Sequence, residues 1–135
     1  MDNKMNILLE KITSSENLED QFKRVFGSDD ARKDKGVVYF FMSGTPVLRV
    51  KGESNILYIG KTKNTLRSRY LQHAGKLSSG LSGEFYKNII DNYGGISIGY
   101  LTSSTPAEDE AKHFKEYHST HLEFPPKSKV RSRIK

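Results

Sequence analysis

Three short apolar runs separated by tight turns most strongly limit how this chain can fold. The first, GVVYFFMS at 36–43, is rich in β-branched and aromatic residues, which predicts a mostly buried strand. GTP turns the chain into VLRV at 47–50, and KGESN turns it again into ILYIG at 56–60. Because such short turns join antiparallel neighbours, the sequence predicts a small central three-stranded antiparallel β-meander.

Helical patterns flank this meander, so the predicted fold class is α/β in the broad sense, or α+β. Thr13 and Glu16 have the spacing of a capping box, and the helix that follows would end at Gly27. A polar, charged loop follows that glycine. Two further helices and one further strand are predicted at 64–76, 82–93 and 96–101.

The last predicted helix has the clearest start signal. Thr105 would cap it, Pro106 would take its first position and Glu108 would complete a capping box. We expect a principal domain, an N-terminal helix with a charged linker packed on it, and a basic C-terminal tail. The predicted boundaries are 36–124, 1–35 and 125–135, respectively.

Composition limits the classes of function. The 135 residues suit one core, and the absence of cysteine excludes disulfides and thiolate metal sites. No apolar stretch approaches the ~18 residues of a membrane span, and the N-terminus lacks the pattern of a signal peptide. We therefore expect a cytoplasmic protein without a membrane partner. The net charge of +6 and the sequence pI of about 9.5 favour a polyanionic partner, nucleic acid first.

A cluster of cations follows the strand that ends at Gly60. Lys61 and Lys63 lie beside the start of the next predicted helix, where backbone N–H groups favour an anionic oxygen. Arg69 and His73 are four residues apart, which places them on one face of that helix. An ordinary solvated basic face is the alternative interpretation.

Tyr39 and Tyr58 each lie near the end of an apolar run, on either side of the predicted meander. Tyrosine is common in strands, and its ring often packs in a core with the hydroxyl at the edge. A purely structural role is therefore the alternative for each of them.

Together these features resemble the GIY-YIG nuclease family over residues 36–117. The family's second signature is intact as YIG at 58–60, whereas the first reads VVY at 37–39. Family members then have an essential Arg on a helix, often with a His four residues later. Arg69 and His73 match that spacing.

The resemblance also implies one divalent metal ion. The family's helical Glu corresponds to Glu110 in EAKHFKEY, with Glu116 as the second choice. A single carboxylate without thiolates favours Mg²⁺ or Mn²⁺. Ser128 stands where family members commonly have an Asn close to a Pro.

The resemblance assigns catalytic roles to the same residues. Arg69 would stabilise the negative charge that develops on the phosphoryl group. Tyr39, Tyr58 and His73 would together orient or deprotonate the attacking water, and the sequence does not divide that work among them.

Further cations are expected to bind DNA phosphates without reading sequence. These residues are Lys61, Lys63, Arg67, Lys127, Lys129, Arg131, Arg133 and Lys135. For the tail, the alternative is a frayed end that only adds solubility.

The leading prediction is a metal-dependent endonuclease that hydrolyses phosphodiester bonds in duplex or branched DNA. The alternative is a catalytically inactive nucleic-acid-binding module of the same fold, and a third possibility is a basic face for RNA or a protein partner. One active site cuts one strand, so a double-strand break would need a homodimer or two successive events. The sequence leaves open a role in restriction, homing, repair or phage DNA processing.

Overall fold

One antiparallel sheet organises residues 5–127, which are the residues that the computed structural model describes. Its strands are β1 (Asn6–Ile7), β2 (Val37–Leu48), β3 (Glu53–Thr62) and β4 (Ile96–Thr102), in the spatial order β1-β4-β2-β3. The predicted mixed α+β class is confirmed.

The predicted three-stranded meander is wrong, because the sheet has four strands and residues 47–50 do not form a strand of their own. β2 continues through Val47 and Leu48 after register shifts, and Val47 pairs with Ser54 of β3. Pro46 lies within the irregular part of β2, where no regular ladder requires its missing N–H. The third long strand is instead β4, which pairs with β2 from Val37 to Ser43.

Five α-helical segments pack on this sheet within the described residues. They are α1 (Leu18–Phe26), α2 (Leu66–Tyr70), α3 (Ala74–Leu77), α4 (Gly80–Tyr93) and α5 (Pro106–His121). The helix predicted over 64–76 is broken, because a 3₁₀ turn at Leu71–His73 separates α2 from α3. None of the helices in residues 5–127 is long and apolar enough to cross a membrane.

The capping box predicted at Thr13 and Glu16 is wrong. α1 begins at Leu18, and Asn17 before it has a left-handed backbone with φ 53°. The buried side chain of Gln21 organises this loop instead, since its amide donates to the carbonyl of Glu16 at 2.7 Å and accepts from the backbone N–H of Thr13 at 3.3 Å. The Gln21 amide has two N–H donors and a separate acceptor oxygen, so one side chain can bond several backbone groups of the loop at once.

The start predicted for the last helix is confirmed at Pro106, but its capping box is not formed. The Thr105 side chain makes no capping hydrogen bond. Ser103 takes that role: its hydroxyl accepts from the Thr105 N–H at 2.9 Å and donates to the carboxylate of Asp109.

The sheet has two covered faces with different chemistry. On one face, which we call the cleft face after the cleft described below, Tyr39 and Phe41 of β2 lie in the larger core with α1, α2 and α4. On the α5 face, Val38 and Phe40 pack with Phe114 of α5 in a smaller core. This division follows from the two-residue period of a strand.

The chain reaches the cleft face again through residues 122–127, which we call the C-terminal strap. Glu123 pairs with Arg49 at 2.8 Å, and the Arg49 guanidinium also donates to the Phe124 carbonyl at 2.8 Å. The N–H of Lys127 then bonds the Leu57 carbonyl on the open edge of β3 at 2.9 Å. The strap thus carries the chain from α5 around that edge to the cleft.

Candidate active site

A cleft of about 580 Å³ opens on the cleft face of the sheet. Side chains of β2, β3, α2, α4 and the strap surround it. Its lining residues are Phe41, Tyr58, Arg69, Tyr70, His73, Lys76, Leu77, Ser82, Tyr86, Pro126 and Lys127. A cleft of this volume is in the range of ligand-binding sites.

Tyr39 lies buried next to this cleft rather than in its lining. Its hydroxyl is 2.6 Å from the Tyr70 hydroxyl, and the two rings meet edge to face with centroids 5.2 Å apart. Burial raises the pKa of Tyr39, and the neighbouring Tyr58 raises it further. Burial also raises the pKa of Tyr70. Both phenols therefore stay protonated at neutral pH.

Gly60 makes room for this tyrosine. It pairs directly with Tyr39 across β2 and β3, and a Cβ at position 60 would overlap the Cζ and hydroxyl of the Tyr39 ring. The glycine of the YIG signature thus has a packing reason here that is independent of chemistry.

Of the two signature tyrosines, Tyr39 and Tyr58, it is Tyr58 that faces the cleft. It is half-buried, and its ring centroid lies 5.5 Å from that of Phe41 and 6.1 Å from that of Tyr39. Its side chain therefore lines the cleft, whereas that of Tyr39 does not.

Arg69 and His73 both line the cleft, Arg69 from α2 and His73 from the end of the 3₁₀ turn that follows it. Arg69 is exposed, and its guanidinium lies 5.2 Å from the centre of the Tyr70 ring. His73 is half-buried, and its Nδ1 atom has no hydrogen-bond partner among the described residues. Because an orphaned buried N–H is costlier than an orphaned acceptor, this favours the tautomer with the proton on Nε2.

The charged side chains that line the cleft are all basic. Arg69, Lys76 and Lys127 line it together with His73, and none of its described lining residues is Asp or Glu. Such a concentration of one sign in a concave surface attracts anions and raises their local concentration.

Glu110 lies outside the cleft. It is half-buried on α5, four and seven residues before Phe114 and Tyr117, which pack against the α5 face of the sheet. Glu110 is therefore on the side of α5 that faces the sheet, but it does not line the cleft. Glu116 borders a different cavity, of about 200 Å³, on the α5 face.

The cations predicted to bind DNA are distributed unevenly. Lys61 pairs with Val38 and so lies on the α5 face, and Lys63 is exposed in the turn after β3. Arg67 donates to the carbonyl of Gly27 at 3.2 Å and so also ties α2 to the end of α1. Of this set, the cleft is lined by Lys127. Lys129, Arg131, Arg133 and Lys135 lie outside the described residues.

Sequence reasoning missed Tyr70, Lys76, Ser82 and Tyr86 as cleft residues. Tyr70 directly follows Arg69 in the chain. Its hydroxyl reaches Tyr39, thirty-one residues earlier, a contact that no local pattern contains.

Comparisons with known proteins identified no relative of this chain. No family model matches the chain, and no curated protein or solved structure matches it either. The resemblance to the GIY-YIG nucleases therefore depends on the residues quoted above and on their placement.

Proposed function

We propose that this protein is a metal-dependent DNA endonuclease whose active site is the cleft beside Tyr39. One observation carries the proposal. Tyr58, Arg69 and His73 line one cleft, next to the buried Tyr39–Tyr70 pair. A guanidinium with hydroxyl and imidazole groups on the same cleft suits a phosphodiester.

Each of these residues has a role that its surroundings support. Arg69 offers its planar donors to the phosphoryl oxygens, and the Tyr70 ring beneath it limits its freedom. His73 presents Nε2–H to an oxygen of the same group. Tyr58 orients the attacking water, whereas Tyr39 stays protonated and holds Tyr70 in place.

A single carboxylate favours Mg²⁺ or Mn²⁺, but Glu110 lies on α5 and does not line the cleft. In residues 5–127 no group of three or more acidic or His side chains is placed to hold a metal together. An ion on Glu110 would take its other ligands from water and phosphate, as Mg²⁺ commonly does. Bound there, the ion would neutralise charge on a phosphate that reached Glu110 and would stabilise the leaving oxygen.

A second candidate is a module that binds nucleic acid in the same cleft without cutting it. The position of Glu110 favours this candidate, because α5 packs on the face of the sheet opposite the cleft. The cleft would then hold a phosphate with Arg69 and the lysines, and no turnover would follow.

Cleavage of supercoiled plasmid with Mg²⁺, Mn²⁺ or EDTA tests the two candidates. Arg69→Ala and Glu110→Ala are run beside wild type, with Lys112→Ala, an exposed residue of α5, as the matched control. We expect metal-dependent nicking that falls on the order of 10²–10³-fold in Arg69→Ala, falls as strongly in Glu110→Ala, and persists in Lys112→Ala.

Two other results would change the proposal. Plasmid that is bound but never cut by wild type would support the binding module. Cutting that survives Glu110→Ala would remove Glu110 from the site, and Glu116→Ala would then be the variant to compare.

A further inference from the structure

The cleft extends beyond the residues of the proposed active site. Besides Arg69 and His73, it is lined by Lys76, Ser82 and Lys127. No role has been assigned above to Ser82, and the two lysines have counted only as general positive charge. A single phosphate at Arg69 would leave this part of the cleft empty and its positive charge uncompensated.

Lys127 is held in a defined position in this part of the cleft. Its Nζ atom donates to the Ser82 hydroxyl at 3.2 Å and lies 5.5 Å from the centre of the Phe85 ring. Its backbone N–H is fixed to the Leu57 carbonyl at 2.9 Å. This lysine is therefore not a freely rotating surface side chain, and part of its conformational entropy is already lost in the free protein.

The hydrogen-bond inventory of this pair leaves donors for an anion. An ammonium group has three N–H donors, and Lys127 directs one of them to Ser82. The Ser82 hydroxyl accepts that bond, so its own proton can point to a ligand. Lys76 is exposed at the same cleft and adds a second ammonium group.

We propose that Lys76, Ser82 and Lys127 bind the phosphate that directly neighbours the one held at Arg69 on the same strand. This inference rests on the proposed function of the cleft and specifies its substrate: a strand that presents two consecutive charged phosphates. A backbone with isolated charges would occupy only one of the two positions.

Binding of modified oligonucleotides tests this directly. Two 12-nucleotide strands carry the same number of neutral methylphosphonate linkages. In the first, charged and neutral linkages alternate, whereas in the second the charged linkages are consecutive. Affinities are measured in EDTA, with single strands and with annealed duplexes, so that the result does not depend on cutting.

Wild type is expected to bind the consecutive form at least about tenfold more tightly, the size of one lost charged hydrogen bond. Lys127→Met and Ser82→Ala should lose that preference while keeping their affinity for the alternating form. Lys87→Met, on the exposed side of α4 and outside the cleft, should behave as wild type. Thermal unfolding confirms that each variant is folded.

Equal affinity of wild type for the two forms, or no binding to either, would overturn the inference. It would also be overturned if Lys127→Met weakened both forms equally, since the lysine would then act only as general positive charge. Because turnover is not measured, loss of this inference and loss of the nuclease proposal are separate results.

Discussion

The two faces of the central sheet use the same strands for different purposes. Tyr39 and Phe40 are neighbours in the chain, and both are almost fully buried. The Tyr39 hydroxyl meets another hydroxyl beside a cationic cleft, whereas Phe40 contacts the ring of His113 on α5. One face thus brings polar groups together, and the other supplies apolar contact.

This difference shows how a small domain can separate stability from chemistry. A strand alternates its side chains, so each residue of β2 can be assigned to one task. We therefore expect substitutions on the α5 face to change only the free energy of unfolding, and substitutions at residues that line the cleft to change ligand binding as well. The predictions below test that separation, from the largest expected effect to the smallest.

Phe114→Ala should cause the largest loss of stability, about 3–5 kcal/mol, because it removes a buried ring from the small core on the α5 face. Affinity for an oligonucleotide should stay unchanged at temperatures where the variant is folded. Chemical denaturation and fluorescence anisotropy measure the two quantities. A variant that is folded but no longer binds would show that the faces are coupled.

Gly60→Ala should destabilise the protein by about 1–3 kcal/mol, since the new Cβ overlaps the buried Tyr39 ring. Gly75→Ala is the matched control: its Cβ would meet only the Glu19 carboxylate at 3.5 Å, and alanine favours the helix by up to about 1 kcal/mol. Thermal unfolding should therefore shift in opposite directions. Shifts of equal sign would contradict the packing role of Gly60.

Alkaline pH should destabilise the protein through its buried tyrosines. Burial raises the pKa of Tyr39, Tyr70 and Tyr86 in the folded state. The unfolded chain then loses protons above its tyrosine pKa of ~10 while the folded state keeps them. Stability should thus be independent of these groups below ~pH 10 and fall above it by about 1.4 kcal/mol per pH unit for each.

Absorbance of phenolate at 295 nm provides the measurement. These tyrosines should ionise only as circular dichroism reports unfolding. Ionisation of all tyrosines well before unfolding would show that the hydroxyls of Tyr39, Tyr70 and Tyr86 are open to solvent.

Tyr70→Phe should have the smallest effect, a loss of about 1 kcal/mol, because it removes one hydrogen bond from the Tyr39 hydroxyl and keeps the ring under Arg69. The double variant Tyr39→Phe/Tyr70→Phe should cost less than the sum of the two single variants, since each single change leaves the other hydroxyl without this partner. A double-mutant cycle in urea measures this. Additive losses would mean that the two hydroxyls are not coupled.

Local patterns determined those parts of the fold that depend on short stretches of sequence. The β-branched and aromatic content of 36–43 and the apolar run at 56–60 are sufficient to assign strands, and the Pro106 signal places the start of α5. The glycines after Tyr93 end α4 where predicted. In each case the physical cause, a backbone preference or a side-chain period, operates within a few residues.

Other features depend on contacts between distant segments. The sequence of VLRV allows a separate strand, but pairing with Ser54 keeps Val47 in β2. Similarly, the N-terminal strand exists because Asn6 and Ile7 find an open edge on β4. Such pairings depend on the edges and surfaces available after folding, which no short window contains.

The candidate site shows the same division. The sequence alone determined that a tyrosine, a glycine, an arginine and a histidine follow one another closely, and resemblance suggested their roles. Only the tertiary structure decided that Tyr39 is buried against Tyr70, that Lys127 returns to the cleft, and that Glu110 lies on the α5 side of the sheet, away from the cleft. The reason is physical: spacing along a chain fixes local direction, whereas burial and charge around a group depend on every segment packed beside it.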